Sequence, residues 1–328
     1  MSAPSYTKAM GTDEVDTLRP LVDAPFGVAL AELGRARQSI VGITADMGKY
    51  TDILPFRDAF PDRFFNVGMA EQNLIAVAAG MARTGLVPFA TTYGVFATRR
   101  AYDYIAIACA HSNTNVKIIA GMPGLTTGYG GTHQAIEDVA LMRMIPNLVV
   151  IDPCDATDIT QATAAIAAYD GPVYMRMLRG KVPRVLDPAS YNFTIGRASL
   201  LSTGTDVGFI STGIMTEQAI DAASALQNEG ISCGVLHVAT LKPFDAEAVA
   251  AFADNHSVIV TAENHVVRGG LASQVAECLY HAHIRRPLAS AGIGDAFVEL
   301  GAVATLMQRS GLTKDHLAAH GRRLHQRP

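Results

Sequence analysis

The chain has 328 residues and a formal net charge of -4; 49% of its residues are hydrophobic, 17% are charged and none is Trp. That composition excludes a disordered chain, and the mild acidity offers no basic field for nucleic acid. No apolar run reaches the length of a membrane helix, and residues 1–20 are polar with no signal-peptide core. The four cysteines (Cys109, Cys154, Cys233, Cys278) form no CxxC, so the chain reads as cytoplasmic with reduced core thiols.

Taken in order, residues 1–20 read as a loose arm. Strands follow at Ser39–Ala45, Val87–Thr92, Val116–Gly121, Asn147–Asp152 and Val173–Arg176. Helices between them are predicted around 71–84, 96–110, 134–144 and 155–169. Strand runs that are apolar throughout and alternate with helices predict parallel sheets covered on both faces. The pattern breaks around Gly180–Thr194, which holds Lys181, Pro183, Arg184, Asp187 and Pro188. We read residues 183–192 as a linker. A second alternation then runs through strands Val207–Ser211, Ser232–Val238 and His256–Ala262, with helices at 215–228, 245–253 and 270–282. Helices near 298–310 and 313–325 close the chain. The expectation is therefore an α/β protein of two domains, 21–182 and 193–328, each with a mostly parallel sheet flanked by helices.

Three stretches draw attention. In FFNVGMAEQNLIAVAAGMAR, from Phe64 to Arg83, a short strand and turn lead into a helix. Leu74, Ile75, Ala78, Met81 and Ala82 form its apolar face. Glu71 joins that face, where a carboxylate is costly unless hydrogen-bonded. An acid in the first helical turn is also favoured by the helix dipole, so the pattern alone leaves two readings. In TTYGVFATRRAYDYI, Tyr93 and Phe96 stand where open α/β sheets place ligands. Arg99-Arg100 just beyond them suit either an anion or a helix cap. In GMPGLTTGYGGTHQAIEDVALMR, a loop dense in Gly, Thr and Pro ends at Thr132-His133, and glycines let a backbone approach a ligand closely. Arg176, Arg179 and Lys181 crowd one strand end, which suits an anionic ligand better than packing. The pair His316-x3-His320 has helical spacing but no acid between its members and does not read as a metal site.

Together these stretches resemble the transketolase family, and specifically the C-terminal two-thirds of its chain. NVG-x-AEQN (Asn66–Asn73), the Tyr93/Phe96 pair and Thr132-His133-Gln134 occur in the family's order. ISTGIMTEQAIDAA, ATLKPFD and ENHVVRGGLASQVAE resemble its C-terminal domain. The resemblance implies thiamine diphosphate as cofactor. Glu71 would hydrogen-bond the pyrimidine nitrogen, Phe96 would stack on that ring and Tyr93 would line the same pocket. Met69 would press between the cofactor's two rings, Asp46 would lie near the thiazolium side, and Arg99 is placed with the cofactor set. His133 would hydrogen-bond substrate hydroxyls, with Tyr129 and Arg179 as further substrate contacts. The family's GDG…N motif, which binds the diphosphate through Mg2+ (or Ca2+), is absent. The resemblance therefore implies the smaller subunit of a split transketolase, with an N-terminal partner that carries GDG…N and an α2β2 assembly.

Departures from the family pattern fall on substrate positions. DAPFG puts Asp23 where an arginine is usual, Gly121-Met122 replaces a histidine, and Tyr129 stands in place of an acid. The expected reaction is transfer of a two-carbon ketol unit from a ketose phosphate to an aldose phosphate, with a non-standard sugar implied. Two alternatives are another thiamine enzyme subunit (2-oxoacid dehydrogenase β or deoxyxylulose-phosphate synthase type) and a non-catalytic partner subunit. THQ-x-IEDVALMR with IPNLVVIDPCDA favours transketolase over the former, and the presence of Glu71 argues against the latter.

Overall fold

A computed structural model describes residues 19–326. The arm expected over 1–20 lies outside the described residues apart from Arg19 and Pro20. Arg19 donates to Glu217 Oε1 (2.7 Å) and Asp221 Oδ1 (2.8 Å) in the second half of the chain.

The first half runs β1 (Leu21–Asp23), α1 (Pro25–Ala36), β2 (Ile40–Thr44), α2 (Leu54–Ala59), β3 (Phe64–Asn66), α3 (Glu71–Arg83), β4 (Val87–Tyr93) and α4 (Gly94–Tyr104). It continues through β5 (Lys117–Gly121), α5 (Asp138–Arg143), β6 (Val149–Ile151), α6 (Ala156–Ala168), β7 (Val173–Met177) and β8 (Lys181–Pro183). The second half holds β9 (Ser199–Ser202), β10 (Val207–Ser211), α7 (Met215–Asn228), β11 (Cys233–His237), β12 (Thr240–Lys242), α8 (Ala246–Asp254) and β13 (Val258–Val266). It ends with α9 (Leu271–His281), β14 (Leu288–Ile293), α10 (Val303–Arg309) and α11 (Lys314–His325).

Two mostly parallel sheets result. The larger has the order β12-β6-β7-β5-β4-β2-β3, and only β12 runs antiparallel to its neighbour. The smaller has the order β14-β13-β10-β11-β9, with β9 antiparallel to β11. Every residue of β2, β4, β5 and β7 is buried, as expected for strands covered on both faces. The register levels the strand ends: Thr44 pairs with both Asn66 and Thr91, and Gly121 pairs with both Tyr93 and Met177. Loops leaving those ends share one rim, which is where an open α/β sheet presents ligands.

The two halves are stitched together. Strand β12 comes from the second half yet completes the first sheet, and Lys242 Nζ donates to the carbonyl of Arg143 (2.9 Å) and to that of Ile145. The expected helix over 134–144 begins only at Asp138. Residues 134–137 before it form an isolated bridge at Ala135 and a bend, because their polar groups are used elsewhere. Gly124 N donates to the Ala135 carbonyl (2.7 Å), Gln134 Nε2 to the Thr127 carbonyl (3.1 Å), and Val266 N to the Ile136 carbonyl (2.8 Å). The helix expected over 298–310 likewise shortens to α10.

Candidate active site

Helix α3 opens at Glu71, immediately after β3 and the turn at Gly68. Its apolar face buries Leu74, Ile75 and Ala78 against the sheet, and this seats Glu71, only 5% exposed, at the rim. A carboxylate so placed needs a donor. It has one: Arg100 Nη1, on α4, bonds Glu71 Oε1 at 2.9 Å. The Arg100 guanidinium also lies 4.0 Å from the Phe96 ring centre, one helical turn back on the same face.

Around this pair the aromatic side chains converge. Tyr93 and Phe96 have ring centres 5.6 Å apart. The His133 imidazole stands 6.0 Å from Tyr93, 5.6 Å from Phe96 and 5.5 Å from Tyr129. Burial, then the charge of Arg100, holds the His133 pKa below its ordinary value, so the ring is neutral near pH 7. One of its nitrogens faces Thr132 Oγ1 at 2.9 Å. Burial pushes the Tyr93 phenol up to about 12, against the pull of Arg179, and keeps it a hydrogen-bond donor.

A further group of polar and aromatic residues meets from separate loops. Tyr50, after β2, lies 6.5 Å from Tyr93, and Arg179, after β7, lies 6.0 Å from Tyr50. Arg179 Nη1 and Asp23 Oδ1 are both buried with no hydrogen-bond partner in the chain. Their loops are joined where Ala24 N donates to the Gly180 carbonyl (2.8 Å). A buried donor and a buried acceptor, each left open, are what a polar ligand would satisfy. Asp46, exposed at the end of β2, is oriented by Asn66: its backbone N–H donates to Asn66 Oδ1 (2.9 Å), and Asn66 Nδ2 donates to its Oδ1 (3.1 Å). Met69 is 78% exposed on the turn before Glu71.

Thus Glu71, Tyr93, Phe96, His133 and Tyr129 gather in one place, with Tyr50 and Arg179 adjoining. Arg99 turns elsewhere. It pairs with Glu137 and donates to the Gly131 carbonyl (2.7 Å), so it braces the glycine loop while Arg100 meets Glu71. The expectation that Arg176 meets a ligand is corrected by its burial. It bonds Asp138 (2.5 and 2.9 Å), Asp152 (3.0 Å) and the carbonyls of Asn264 (3.2 Å) and Ala135 (3.3 Å), leaving nothing for a ligand. The loop's glycines serve packing as well as access. A side chain at Gly128 would strike the Gly301 carbonyl, and one at Gly131 would press on Phe297, both on the second domain's loop before α10. His316 is taken by Thr313 Oγ1 (2.8 Å) and His320 by Arg323 (2.9 Å).

Sequence reasoning missed Tyr50 and the role of Arg100. A lone tyrosine in a polar loop carries no signal. Arg100 does, because it follows Phe96 at i,i+4 and so shares its face.

The site fits part of a cofactor. Glu71 presents a buried acceptor and Phe96 a ring face, which together suit a planar aminopyrimidine. Nothing described here suits a diphosphate with its metal. Possible metal ligands do come together at Cys154, Asp158 and His237, but their atoms are already used. Asp158 Oδ2 takes Cys154 N and His237 Nε2 (2.9 Å each), and its Oδ1 accepts from Tyr191 (2.8 Å), which makes a buried tie between the halves.

Residues 22–184 match the family model of the transketolase pyrimidine binding domain, and residues 196–317 that of the transketolase C-terminal domain. An uncharacterized transketolase family protein of Sinorhizobium fredii, y4mN, is 50% identical over 316 residues, 95% of this chain and 91% of that one. The 6-deoxy-6-sulfo-D-fructose transketolase subunit SqwH of a Clostridium species is 42% identical over 294 residues, covering 89% of this chain and 91% of that one. A solved split gene transketolase, described as an inactive beta4 tetramer, superposes with TM-score 0.85 at 41% identity, covering 92% of this chain and 97% of that one. Among the described residues no helix is long and apolar enough to cross a membrane.

Proposed function

The chain belongs to the transketolase family, and on that premise we propose that it is the pyrimidine-activating, substrate-orienting subunit of a thiamine diphosphate-dependent ketol transferase. When bound, that cofactor supplies a carbanion able to accept and release a two-carbon ketol unit. The observation that carries the reading is Glu71, buried at the start of α3 beside the Phe96 ring. With the cofactor bound, Glu71 would share a proton with the pyrimidine ring nitrogen and so tune the neighbouring amino group as the base. Phe96 supports the ring's face and Tyr93 walls the pocket. Met69, uncovered by its own chain, would be free to wedge between the cofactor's two rings, and Asp46 would face the thiazolium side. Neutral His133, between Tyr129 and Phe96, hydrogen-bonds the hydroxyls of the sugar.

The diphosphate and Mg2+ half-site belongs to a second subunit with a GDG…N motif, and the working assembly is an α2β2 heterotetramer. Reconstitution tests this. Calorimetry is expected to find weak thiamine diphosphate binding to the chain alone, and tight, Mg2+-dependent binding once the partner is added. Tight Mg2+-dependent binding by the isolated chain would refute the division of labour.

For the substrate we infer a ketose with a terminal anion and a hydroxyl pattern unlike the common pentose phosphates. Arg179 offers an open buried donor for the anion, and Asp23 an open acceptor suited to a hydroxyl rather than to a charged group. This agrees in kind with the sulfonated ketose in the name of the Clostridium relative. Arg179→Ala is expected to raise KM for the anionic donor roughly ten- to a hundredfold, as for loss of a charge-assisted hydrogen bond. The effect on kcat should be smaller, because a remote anchor binds ground and transition states alike. A panel of ketose donors, sulfonated and phosphorylated, assayed with the reconstituted complex decides the point. If xylulose 5-phosphate with ribose 5-phosphate is the best pair by a wide margin, the unusual-sugar reading is wrong.

A further inference from the structure

The roles above leave Arg100 unexplained. Its Nη1 bonds Glu71 Oε1 at 2.9 Å and its guanidinium carbon sits 4.0 Å from the Phe96 ring centre. These are the two groups that an aminopyrimidine would meet, an acceptor at its edge and a ring against its face. A guanidinium is planar and delocalised, carries N–H donors along its edge and stacks on aromatic rings. It therefore offers Glu71 and Phe96 the same two features. The adjacent Arg99 is held by Glu137 and the Gly131 carbonyl, so the resemblance to a ligand belongs to Arg100 alone. The Arg100 side chain is 52% exposed, and one ion pair with one stacking contact holds it, so it can move into water once another donor takes its place at Glu71.

We propose that Arg100 is a stand-in for the cofactor's aminopyrimidine, holding the Glu71–Phe96 subsite until the cofactor displaces it. The proposal rests on reading that subsite as the pyrimidine pocket. It gives the buried carboxylate a partner at all times, since leaving it unpaired is strongly unfavourable. It also lowers the affinity of any planar ligand by the fraction of time the subsite stands open. Binding then needs added contacts, such as those of a diphosphate held by the partner, which ties cofactor loading to subunit assembly.

The probe is the free hydroxymethyl-aminopyrimidine half of thiamine, titrated into the full chain and followed by ligand-observed NMR. Arg100→Gln is expected to bind it roughly three- to tenfold more tightly than the wild type. Arg100→Lys, which keeps the charge but loses the plane, should shift in the same direction and serves if Arg100→Gln fails to fold. In Arg100→Ala, added ethylguanidinium is expected to compete with the pyrimidine, which a merely structural arginine would not cause. Equal or weaker binding by the Arg100 variants, or no pyrimidine binding by any of them, overturns the proposal. Thiamine diphosphate binding by the reconstituted complex separates the two ideas. Glu71-dependent binding there with no Arg100 effect removes the stand-in alone, whereas no binding there removes the functional reading with it.

Discussion

Glu71→Ala, in the chain paired with the proposed diphosphate-binding subunit, is expected to slow hydrogen–deuterium exchange at C2 of bound thiamine diphosphate by roughly 10²–10⁴-fold or more, the usual worth of positioned proton transfer. The fold should survive the change. Glu71 has Arg100 as its hydrogen-bonding partner, and the freed guanidinium, already half exposed, returns to water. The small cavity left at the start of α3 borders the rim and leaves Leu74 and Ile75 in place. Glu71→Gln sharpens the test, because an amide keeps the shape and a hydrogen bond but cannot share its proton as a carboxyl does. Both variants should therefore lose exchange while their thermal unfolding stays near that of the wild type. An unchanged exchange rate in Glu71→Ala would return Glu71 to the bland role of an acid favoured by a helix dipole.

Much of this site could be read in the sequence because its parts are local. Glu71 sits on a helix whose apolar spacing shows which face it shares, and Tyr93 and Phe96 follow a strand that is apolar throughout. What could not be read depends on how separate loops meet. Arg99 and Arg100 are neighbours in sequence, yet one braces the glycine loop and the other meets Glu71. Arg176 looked like an anion site because sequence shows a charge near a strand end but not the two aspartates, Asp138 and Asp152, that consume it. The helix α1 escaped the reading because its glycines dilute the pattern. Gly27 is there because the Asp52 carbonyl passes so close that no side chain would fit. Strand β14 escaped because LASAGI is too poor in large apolar residues to stand out. Strand β12 was hidden for another reason: it completes a sheet built by the other half of the chain, and no local pattern records that.

Asp138→Ala is expected to destabilise the protein by about 3–5 kcal/mol, the usual penalty for leaving a buried charge without its partner. Arg176 is fully buried and spends its guanidinium on Asp138, Asp152, and the carbonyls of Asn264 and Ala135. The same carboxylate accepts from Tyr174 (2.6 Å), so its loss orphans two donors in the core. The cluster joins the first sheet, the segment that follows His133, and β13 of the second domain. The variant should therefore also loosen the loop that carries His133 and raise KM for the sugar. Asp138→Asn, which keeps the shape and loses only the charge, should fall between the variant and the wild type. The dependence on pH has a definite sign. Burial alone would push Asp138 up, but Arg176 outweighs it and holds its pKa below the ordinary 3.8. The stabilisation is thus fully present above about that pH and is lost as the pH falls through the lower folded value. Asp152 runs the other way. Burial, aided by the charge of Asp138, raises it against the pull of Arg176, so its ionisation costs stability as the pH rises through its folded value. Urea midpoints at neutral pH and at a pH below 3.8 should therefore show the Asp138→Ala penalty shrinking in acid. A loss below about 1 kcal/mol at neutral pH would mean that water enters to solvate Arg176, and that the other ties between the halves, such as β12 and the Asp158–His237 contact, suffice to hold them.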